Sequence, residues 1–343
     1  MRKRSILILI FFIVIIIAGF FGWQLFGPTI NAPEGNYFYI RTGSDYQSVK
    51  DSLLRKNIVK RIGLFDRLAT YLHYEKSVKP GKYKITDGMS LINLVRMLRS
   101  GNQSPVNLII VKIRTIEDFA KKIGDNFEPD SGSVMGYLTN ADSLVKFNLD
   151  TNTVLTAIIP NTYTFTWNTS VQKIFNRLFN EQKKFWNKER QASASALGLS
   201  EKQAYILASI VEEETNKQED KGKIASVYLN RLQNGMRLGA DPTVKFALRN
   251  FSLKRIYTKY LSYPSPYNTY LNAGLPPGPI CTPSIKTLDA VLNAPATNYL
   301  YFVARPDFSG YSNFATGYEE HKKNASAYQH ALDSLIMLKQ ESN

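Results

Sequence analysis

Residues 200–216 read SEKQAYILASIVEEETN and decide how the C-terminal half of this chain is interpreted. Ser200 and Gln203 have the types and spacing of a capping box, in which each side chain binds the backbone amide of the other residue. Beyond them, apolar residues recur at i, i+3, i+4 and i+7, at positions 204, 207, 208 and 211. This spacing predicts a helix with a buried stripe, running from Ala204 to about Asn216.

The helix ends in three consecutive acids that are not equivalent. At about 100° per residue, Glu213 points away from the stripe and is predicted to be a solvated surface acid. Glu212 and Glu214 flank the stripe, and Glu214 has the larger apolar residues one turn back. Desolvation raises the pKa of a carboxyl group, so Glu214 is the better candidate for a proton donor. The alternative is a helix-end carboxylate paired with an arginine or lysine.

The segment Ala208–Thr215 (ASIVEEET) resembles the ASIVEKET motif of the YceG-like endolytic murein transglycosylases, with Glu213 in place of the usual lysine. Further similar segments follow in the same order: Ile224–Leu232, Gly235–Leu238, Ala240–Val244, Ser265–Tyr270 and Gly274–Ile280. The resemblance implies that Glu214 is the catalytic acid/base. It also implies that Thr215 corresponds to the residue after the catalytic glutamate in other lytic transglycosylases.

A set of polar, aromatic and turn residues in these segments is predicted to line the substrate cleft. The aromatic ring of Tyr267 and the polar groups of the next two residues suit a sugar, and the side chains at 230 and 231 suit hydrogen bonds to Glu214 or to an acetamido group. For each residue alone, a structural role in a turn, the core or a helix surface is an equal alternative. The predicted substrate-binding residues are Glu212, Thr215, Asn230, Arg231, Asp241, Thr243, Tyr267, Asn268, Thr269 and Pro277.

The resemblance implies an enzyme that cleaves the bond from N-acetylmuramic acid to N-acetylglucosamine and leaves 1,6-anhydromuramyl ends. It further implies action on nascent, uncrosslinked strands beside membrane-bound peptidoglycan synthases, ending strand elongation. The residues themselves leave open a lysozyme-like hydrolase with Asp241 or Glu212 as second carboxylate. A non-catalytic peptidoglycan-binding protein is the alternative of another class. With three His and one Cys, neither a metal site nor a cofactor is expected.

The N-terminus has the composition of a membrane anchor. Arg2, Lys3 and Arg4 precede an uncharged stretch that is long enough to cross the hydrocarbon core. A cleavable signal peptide would have a shorter apolar region and a small-residue cleavage site, whereas bulky aromatic residues occupy that place. We therefore expect a cytoplasmic tail (1–4), a transmembrane helix (5–27) and a linker (28–35), with the rest outside the cytoplasmic (inner) membrane.

Beyond the anchor, the pattern predicts an α+β fold. Short strands alternate with amphipathic helices over residues 36–115, and the segments Ile40–Gly43, Lys79–Ile85 and Leu98–Gly101 resemble the LysM-like domain of the same family. A helical connecting region (116–199) and a mainly helical catalytic core with short strands (200–335) are expected to follow. Val106–Ile113 is predicted to be the last strand of the 36–115 unit, and 182–193 a solvated helix in the connecting region.

The composition of the chain indicates which classes of partner it can bind. The chain has 343 residues, and its 44% hydrophobic and 21% charged residues are typical of a folded protein. The net charge of +15 favours anionic partners such as acidic lipids or the cell-wall polymer. The basic residues are dispersed rather than clustered, so no nucleic-acid partner is expected.

Overall fold

The apolar N-terminal segment forms one helix, α1 (Arg2–Phe26), in the computed structural model, which describes residues 2–253 and 255–341. Within those ranges, Arg4–Phe26 is the one helix long and apolar enough to cross a membrane. Its apolar side chains are exposed, as a lipid-facing helix requires. The predicted tail, residues 1–4, begins with Met1, which lies outside the described residues.

The chain divides into two units, and the first comprises the residues up to Leu108 together with Gly124–Pro129 and Tyr163–Ser170. Residues of the predicted linker (28–35) pack against this unit, because Ile30 is buried and bridges to Val59. After α1, the helices and strands of this unit are β1 (Tyr37–Ile40), α2 (Tyr46–Arg55), α3 (Ile62–Tyr71), β2 (Gly81–Lys84) and α4 (Leu91–Ser100).

Two predicted features of this unit are confirmed. Strands β1 and β2 pair antiparallel, from Tyr37 opposite Lys84 to Ile40 opposite Gly81. Helix α4 is capped by the Ser90 side chain and is followed by Gly101 in the left-handed conformation (φ +73°), which glycine adopts without strain. The apolar faces of the helices meet the strands in one core.

The second unit comprises Ile109–Ile123, Asp130–Thr162 and the residues from Val171 onward. Two short strands, β3 (Pro105–Ile109) and β4 (Thr162–Thr166), pair with each other and, apart from Ile109 and Thr162, belong to the first unit. The remaining elements are α5 (Ile116–Asn126), α6 (Ser131–Thr139), α7 (Ala141–Val145), α8 (Val171–Phe185), α9 (Lys188–Ala196), α10 (Glu201–Glu214), α11 (Gln218–Gln233), α12 (Asp241–Ala247), α13 (Thr258–Leu261), α14 (Ile285–Leu292), β5 (Tyr301–Ala304), β6 (Ser312–Ala315) and α15 (Tyr318–Glu341).

Helix α10 lies at the centre of the second unit. Residues Ala204–Val211 are buried without interruption, and the helix packs against α11, α12 and α14. The predicted capping box is confirmed, since Ser200 and Gln203 bind each other's backbone amides. A buried helix with a fixed start sets the position of its last turn, where the three acids lie.

Two sequence predictions are wrong in detail. The predicted strand Val106–Ile113 ends at Ile109, because the backbone of Ile113 instead exchanges hydrogen bonds with Thr282 (2.9 and 2.7 Å). The predicted solvated helix over 182–193 is interrupted between Phe185 and Lys188. Buried Phe185 and Trp186 end the first helix, and the Asn187 side chain caps the second.

Replacing Ser209 with alanine tests how α10 is held. The Ser209 hydroxyl, fully buried, accepts a hydrogen bond from the Ile280 amide (3.0 Å) and donates to the Ile206 carbonyl (2.7 Å). Alanine leaves the buried Ile280 amide without a partner, so we expect a loss of about 1–3 kcal/mol in the free energy of unfolding. Denaturant titration of the full chain in detergent measures it. The exposed Ser195→Ala control is expected to change the free energy by less than about 0.5 kcal/mol, and equal values for the two variants would contradict the assignment.

Candidate active site

The last turn of α10 directs its three glutamates to three different surroundings. Glu212 accepts hydrogen bonds at Oε2 from Lys221 Nζ (3.0 Å), Ser284 Oγ (3.0 Å) and the Thr287 hydroxyl. Burial alone would raise the pKa of Glu212, but the hydrogen bonds from Thr287 and Lys221 outweigh burial, so this pKa lies below its ordinary value. Glu212 therefore joins α10 to α11 and α14 as an ionised anchor.

The prediction that Glu213 is a solvated surface acid is wrong. Its side chain is only 18% exposed and forms ion pairs with Lys112 (2.9 Å) and Arg114 (3.0 Å). Burial would raise the pKa of Glu213, yet the hydrogen bonds from these two cations lower it overall. The face opposite the apolar stripe of α10 is thus covered by residues 112–114, about a hundred positions earlier in the chain.

Glu214 differs from both, because it forms no ion pair with any of the described lysines or arginines. It keeps partial exposure, yet its carboxyl group is surrounded by protein, and this desolvation raises its pKa to about 7. A hydrogen bond from the Tyr228 hydroxyl to Oε1 lowers the pKa, and the nearby charge of Asp241 raises it. The prediction that Glu214 is desolvated is confirmed, and near neutral pH its carboxyl group is poised both to donate and to accept a proton.

Asp241 begins α12 beside Glu214. Its Oδ1 accepts a hydrogen bond from the Tyr270 hydroxyl (2.7 Å), and burial together with this bond raises the pKa of Tyr270. Lys245, one turn further along α12, lowers the pKa of Glu214 through its charge. The acids Glu214 and Asp241 therefore lie in one polar cluster with two tyrosine hydroxyls.

The side chains of Asn230 and Arg231 donate hydrogen bonds to backbone carbonyls. Among the described residues, neither forms a hydrogen bond with Glu214. Asn230 Nδ2 donates to the carbonyls of Thr297 (2.8 Å) and Tyr299 (2.9 Å). Arg231 donates to two other carbonyls, through Nε (2.7 Å) and Nη1 (2.6 Å). Both side chains therefore hold the segment before β5 against α11, and Arg231 affects Glu214 only through its charge, which lowers the pKa.

Three predicted sugar-binding residues lie beneath the surface. The side chains of Thr243, Asn268 and Thr269 are at most 1% exposed. The two threonine hydroxyls bind each other (2.9 Å) and the backbone of Ala240, while Asn268 Nδ2 binds the carbonyls of Leu261 and Tyr263 (both 2.9 Å). These contacts position the loop that faces α12, so direct contact of the three side chains with a ligand is not supported.

The other predicted residues lie nearer to the surface. The Thr215 hydroxyl accepts the Lys217 amide (3.0 Å), which ends α10 in an extended turn. Pro277 is exposed in its loop, and Tyr267 is half-buried with its ring 4.6 Å from that of Phe246. The next residue after Pro277, Gly278, must lack a side chain, because a Cβ there would lie 2.0 Å from the carbonyl oxygen of Asn152.

Tyr228 and Tyr270 are the functional candidates that the sequence analysis missed. Tyr228 lies within the segment Ile224–Leu232 that resembles the family, but no role was predicted for it. Its pairing with Glu214 depends on how α11 crosses α10, which periodicity alone does not specify. A search of the described residues finds no group of three His, Cys, Asp or Glu side chains that could hold a metal.

Comparisons with known proteins agree on one family. The model of the YceG-like family matches residues 38–327. The endolytic murein transglycosylase of Bacillus subtilis (strain 168) is 27% identical over 307 residues, which cover 84% of this chain and 83% of that protein. The protein of the same name from Streptococcus pneumoniae serotype 2 is 27% identical over 355 residues, and the chain spans only 64% of its length.

A solved structure is also similar. The crystal structure of a YceG-like protein from Listeria monocytogenes superposes with a TM-score of 0.56 and 29% sequence identity. The match covers 84% of this chain and 98% of that chain. The likeness therefore extends over nearly the whole of the solved protein.

The raised pKa of Glu214 implies that the free energy of unfolding depends on pH in a way that Glu214→Gln can test. The folded pKa of about 7 lies above the ordinary 4.5. Between these two pH values Glu214 ionises in the unfolded chain but stays protonated in the folded one, so the free energy of unfolding falls as the pH rises from about 4.5 to 7. Glutamine does not ionise, so we expect Glu214→Gln to be more stable than the parent at pH 8, by on the order of 1–2 kcal/mol after allowing for partial exposure, and nearly equal at pH 5.

Thermal unfolding at the two pH values measures this difference. Glu213→Gln is the matched control, because its pKa is lowered rather than raised. It is expected to be less stable than the parent at pH 8, since its two cations lose their partner. Destabilisation of the Glu214 variant at pH 8 would contradict the assigned pKa.

Proposed function

Because this chain belongs to the YceG-like family, we propose that it is an endolytic lytic transglycosylase that cleaves peptidoglycan. The two relatives described above are named endolytic murein transglycosylases. The observation that carries the proposal is Glu214, a desolvated carboxyl group with a pKa of about 7 on the segment that resembles the family's catalytic motif. Glu214 is the proposed catalytic residue.

One carboxyl group serves both proton transfers in this mechanism. Protonated Glu214 gives its proton to the oxygen that links N-acetylmuramic acid to N-acetylglucosamine, and the bond from C1 to that oxygen breaks. The Glu214 carboxylate then takes the proton of the muramic 6-hydroxyl as that oxygen bonds to C1. The products are a free 4-hydroxyl and a 1,6-anhydromuramyl end, and Glu214 is protonated again.

Tyr228 suits this cycle because the two steps make opposite demands on Glu214. Its hydroxyl donates to Oε1, which stabilises the carboxylate formed after the first step. Burial favours the protonated form needed at the start. A pKa of about 7 balances the two demands near neutral pH.

A muramidase hydrolase is the second candidate, and one observation favours it. Asp241 is close enough to Glu214 for its charge to raise the Glu214 pKa, so a second carboxylate is present. Glu212 suits that role less well, because three donors, one of them Lys221, already bind its Oε2. The products distinguish the two reactions, since hydrolysis leaves reducing ends.

The remaining parts of the chain fit a membrane-bound enzyme. We propose that α1 is a single-pass anchor in the cytoplasmic membrane, with the N-terminus in the cytoplasm and the residues from about 30 onward outside. Residues 36–115 are proposed to form a LysM-like domain, and 200–335 the catalytic core after the connecting region 116–199. Cutting close to the bilayer would suit nascent strands beside peptidoglycan synthases and would end their elongation.

The product of the reaction is the first test. Full-length protein in detergent is incubated with purified uncrosslinked glycan strands, and the products are analysed by mass spectrometry. We expect anhydromuramyl ends, and a loss of about 10²–10⁴-fold in rate for Glu214→Gln, because glutamine cannot exchange the proton. Glu189→Gln, an exposed acid on α9, is expected to keep full activity.

Other products would change the assignment. Reducing ends would establish the hydrolase and direct attention to Asp241. Binding of strands without cleavage by the parent protein would favour the non-catalytic peptidoglycan-binding protein.

Replacing Tyr228 with phenylalanine tests how the pKa of Glu214 is set. Loss of the hydroxyl removes a hydrogen bond that favours the carboxylate, so the pKa of Glu214 rises. We expect the alkaline limb of the pH–rate profile to move to higher pH, while the overall fold is kept. An alkaline limb that stays in place would show that this limb does not report the ionisation of Glu214.

A further inference from the structure

The second unit contains a cavity of about 230 Å³. Its walls come from the segment after Ile113, the loop around Asn152, the end of α12 and the loops that carry Tyr267 and Pro279. Two arginines, Arg114 and Arg249, line it, and it has no acidic lining residue. We refer to it as the arginine cavity.

The two arginines are held in place by acids outside the cavity. Arg114 Nη2 donates to both oxygens of Glu213 (3.0 and 3.2 Å). Arg249 pairs with Glu117 through two bonds (3.1 and 3.5 Å), and both of these side chains are more than half exposed. Lys112 also pairs with Glu213 (2.9 Å) and lies 4.0 Å from Glu212, so the acids that hold Arg114 and Arg249 all lie outside the lining of the cavity.

Aromatic rings fix the guanidinium groups further. Arg249 lies 5.7 Å from the centre of the Phe246 ring, and Arg114 lies 5.1 Å from that of Phe251. Tyr267 packs against Phe246 and extends its hydroxyl toward Asn152 Oδ1 (3.4 Å). Two oriented guanidinium groups beside apolar rings form a surface suited to a carboxylate carried on an organic backbone.

The arginine cavity approaches Glu214 through shared residues. A smaller cavity, of about 40 Å³, shares Arg114 and Phe246 with it and is lined by Glu213 and Lys245. Glu213 adjoins Glu214 in the chain, and the charge of Lys245 acts on Glu214. A substrate bound at Glu214 therefore has a charged recess close by.

We propose that the arginine cavity binds a carboxylate group of the glycan strand while the strand lies at Glu214. This inference rests on the proposed function, which supplies the substrate. Such a strand carries carboxylates from two sources. One is the peptide, which is joined to muramic acid through an amide of the lactyl group, and the other is the free lactyl carboxylate of muramic acid residues that carry no peptide. The cavity contributes affinity and position, and the chemical step stays with Glu214.

The test measures strand binding by the full chain in detergent, in a Glu214→Gln background that prevents cleavage. The probes are uncrosslinked strands with their peptides, the same strands with carboxylates converted to methylamides, and strands stripped of peptides. Methylamidation is expected to weaken binding about tenfold, the range for one charge-assisted contact. Removal of the peptide frees the lactyl carboxylate, so retained affinity of the stripped strands would show that the lactyl carboxylate can occupy the cavity, and loss of affinity would assign the contact to the peptide.

Arg249→Gln and Glu117→Gln form a matched pair in that background. If Arg249 binds the ligand, its loss weakens binding of untreated strands about tenfold and abolishes the effect of methylamidation, whereas Glu117→Gln frees Arg249 and leaves binding equal or tighter. If the pair only ties α5 to α12, both variants weaken binding alike. Thermal unfolding checks that both variants fold.

Two outcomes are informative in different ways. Binding that responds to neither methylamidation nor Arg249→Gln overturns this inference and leaves the proposed function intact. Failure of every strand to bind any variant overturns both.

Discussion

The structure of the site depends on how charge is compensated at the end of α10. Three consecutive glutamates end a buried helix, at the pole where the helix dipole already disfavours negative charge. Lys221 neutralises Glu212 from α11, and Lys112 and Arg114 neutralise Glu213 from the opposite side. Glu214 receives a hydroxyl group instead of a cation. The unequal compensation separates one reactive acid from two structural ones.

This separation explains why adjacent residues of one type can have different tasks. A carboxyl group with one or two cationic partners stays ionised and holds its helix in place. A desolvated carboxyl group with a phenolic donor changes its protonation near neutral pH at little cost. Because Glu212 and Glu213 fix the last turn from two sides, Glu214 is held in one position although no ion pair restrains it.

The sequence predicted those features that depend on residues close together in the chain. The spacing of apolar residues and the pair Ser200 and Gln203 were sufficient to predict α10. The residues one helical turn earlier were sufficient to predict that Glu214 is more desolvated than Glu212. Glu213 was misassigned because its partners come from Lys112 and Arg114, and no local pattern indicates that this segment covers α10. Burial of Thr243 and Thr269 escaped prediction for the same reason, since threonines suit either a ligand or a loop core.

The ion pairs of Glu213 also explain why this chain can differ from the family motif, which usually has lysine at that position. On an exposed face, glutamate in place of the usual lysine would be a neutral exchange. In this structure, a lysine at position 213 would face Lys112 and Arg114 in place of the carboxylate that both of them bind, and three like charges would meet in a half-buried space. Glu213, Lys112 and Arg114 are therefore one electrostatic unit. The carboxylate that stabilises the last turn of α10 is also the one that orients Arg114 at the arginine cavity.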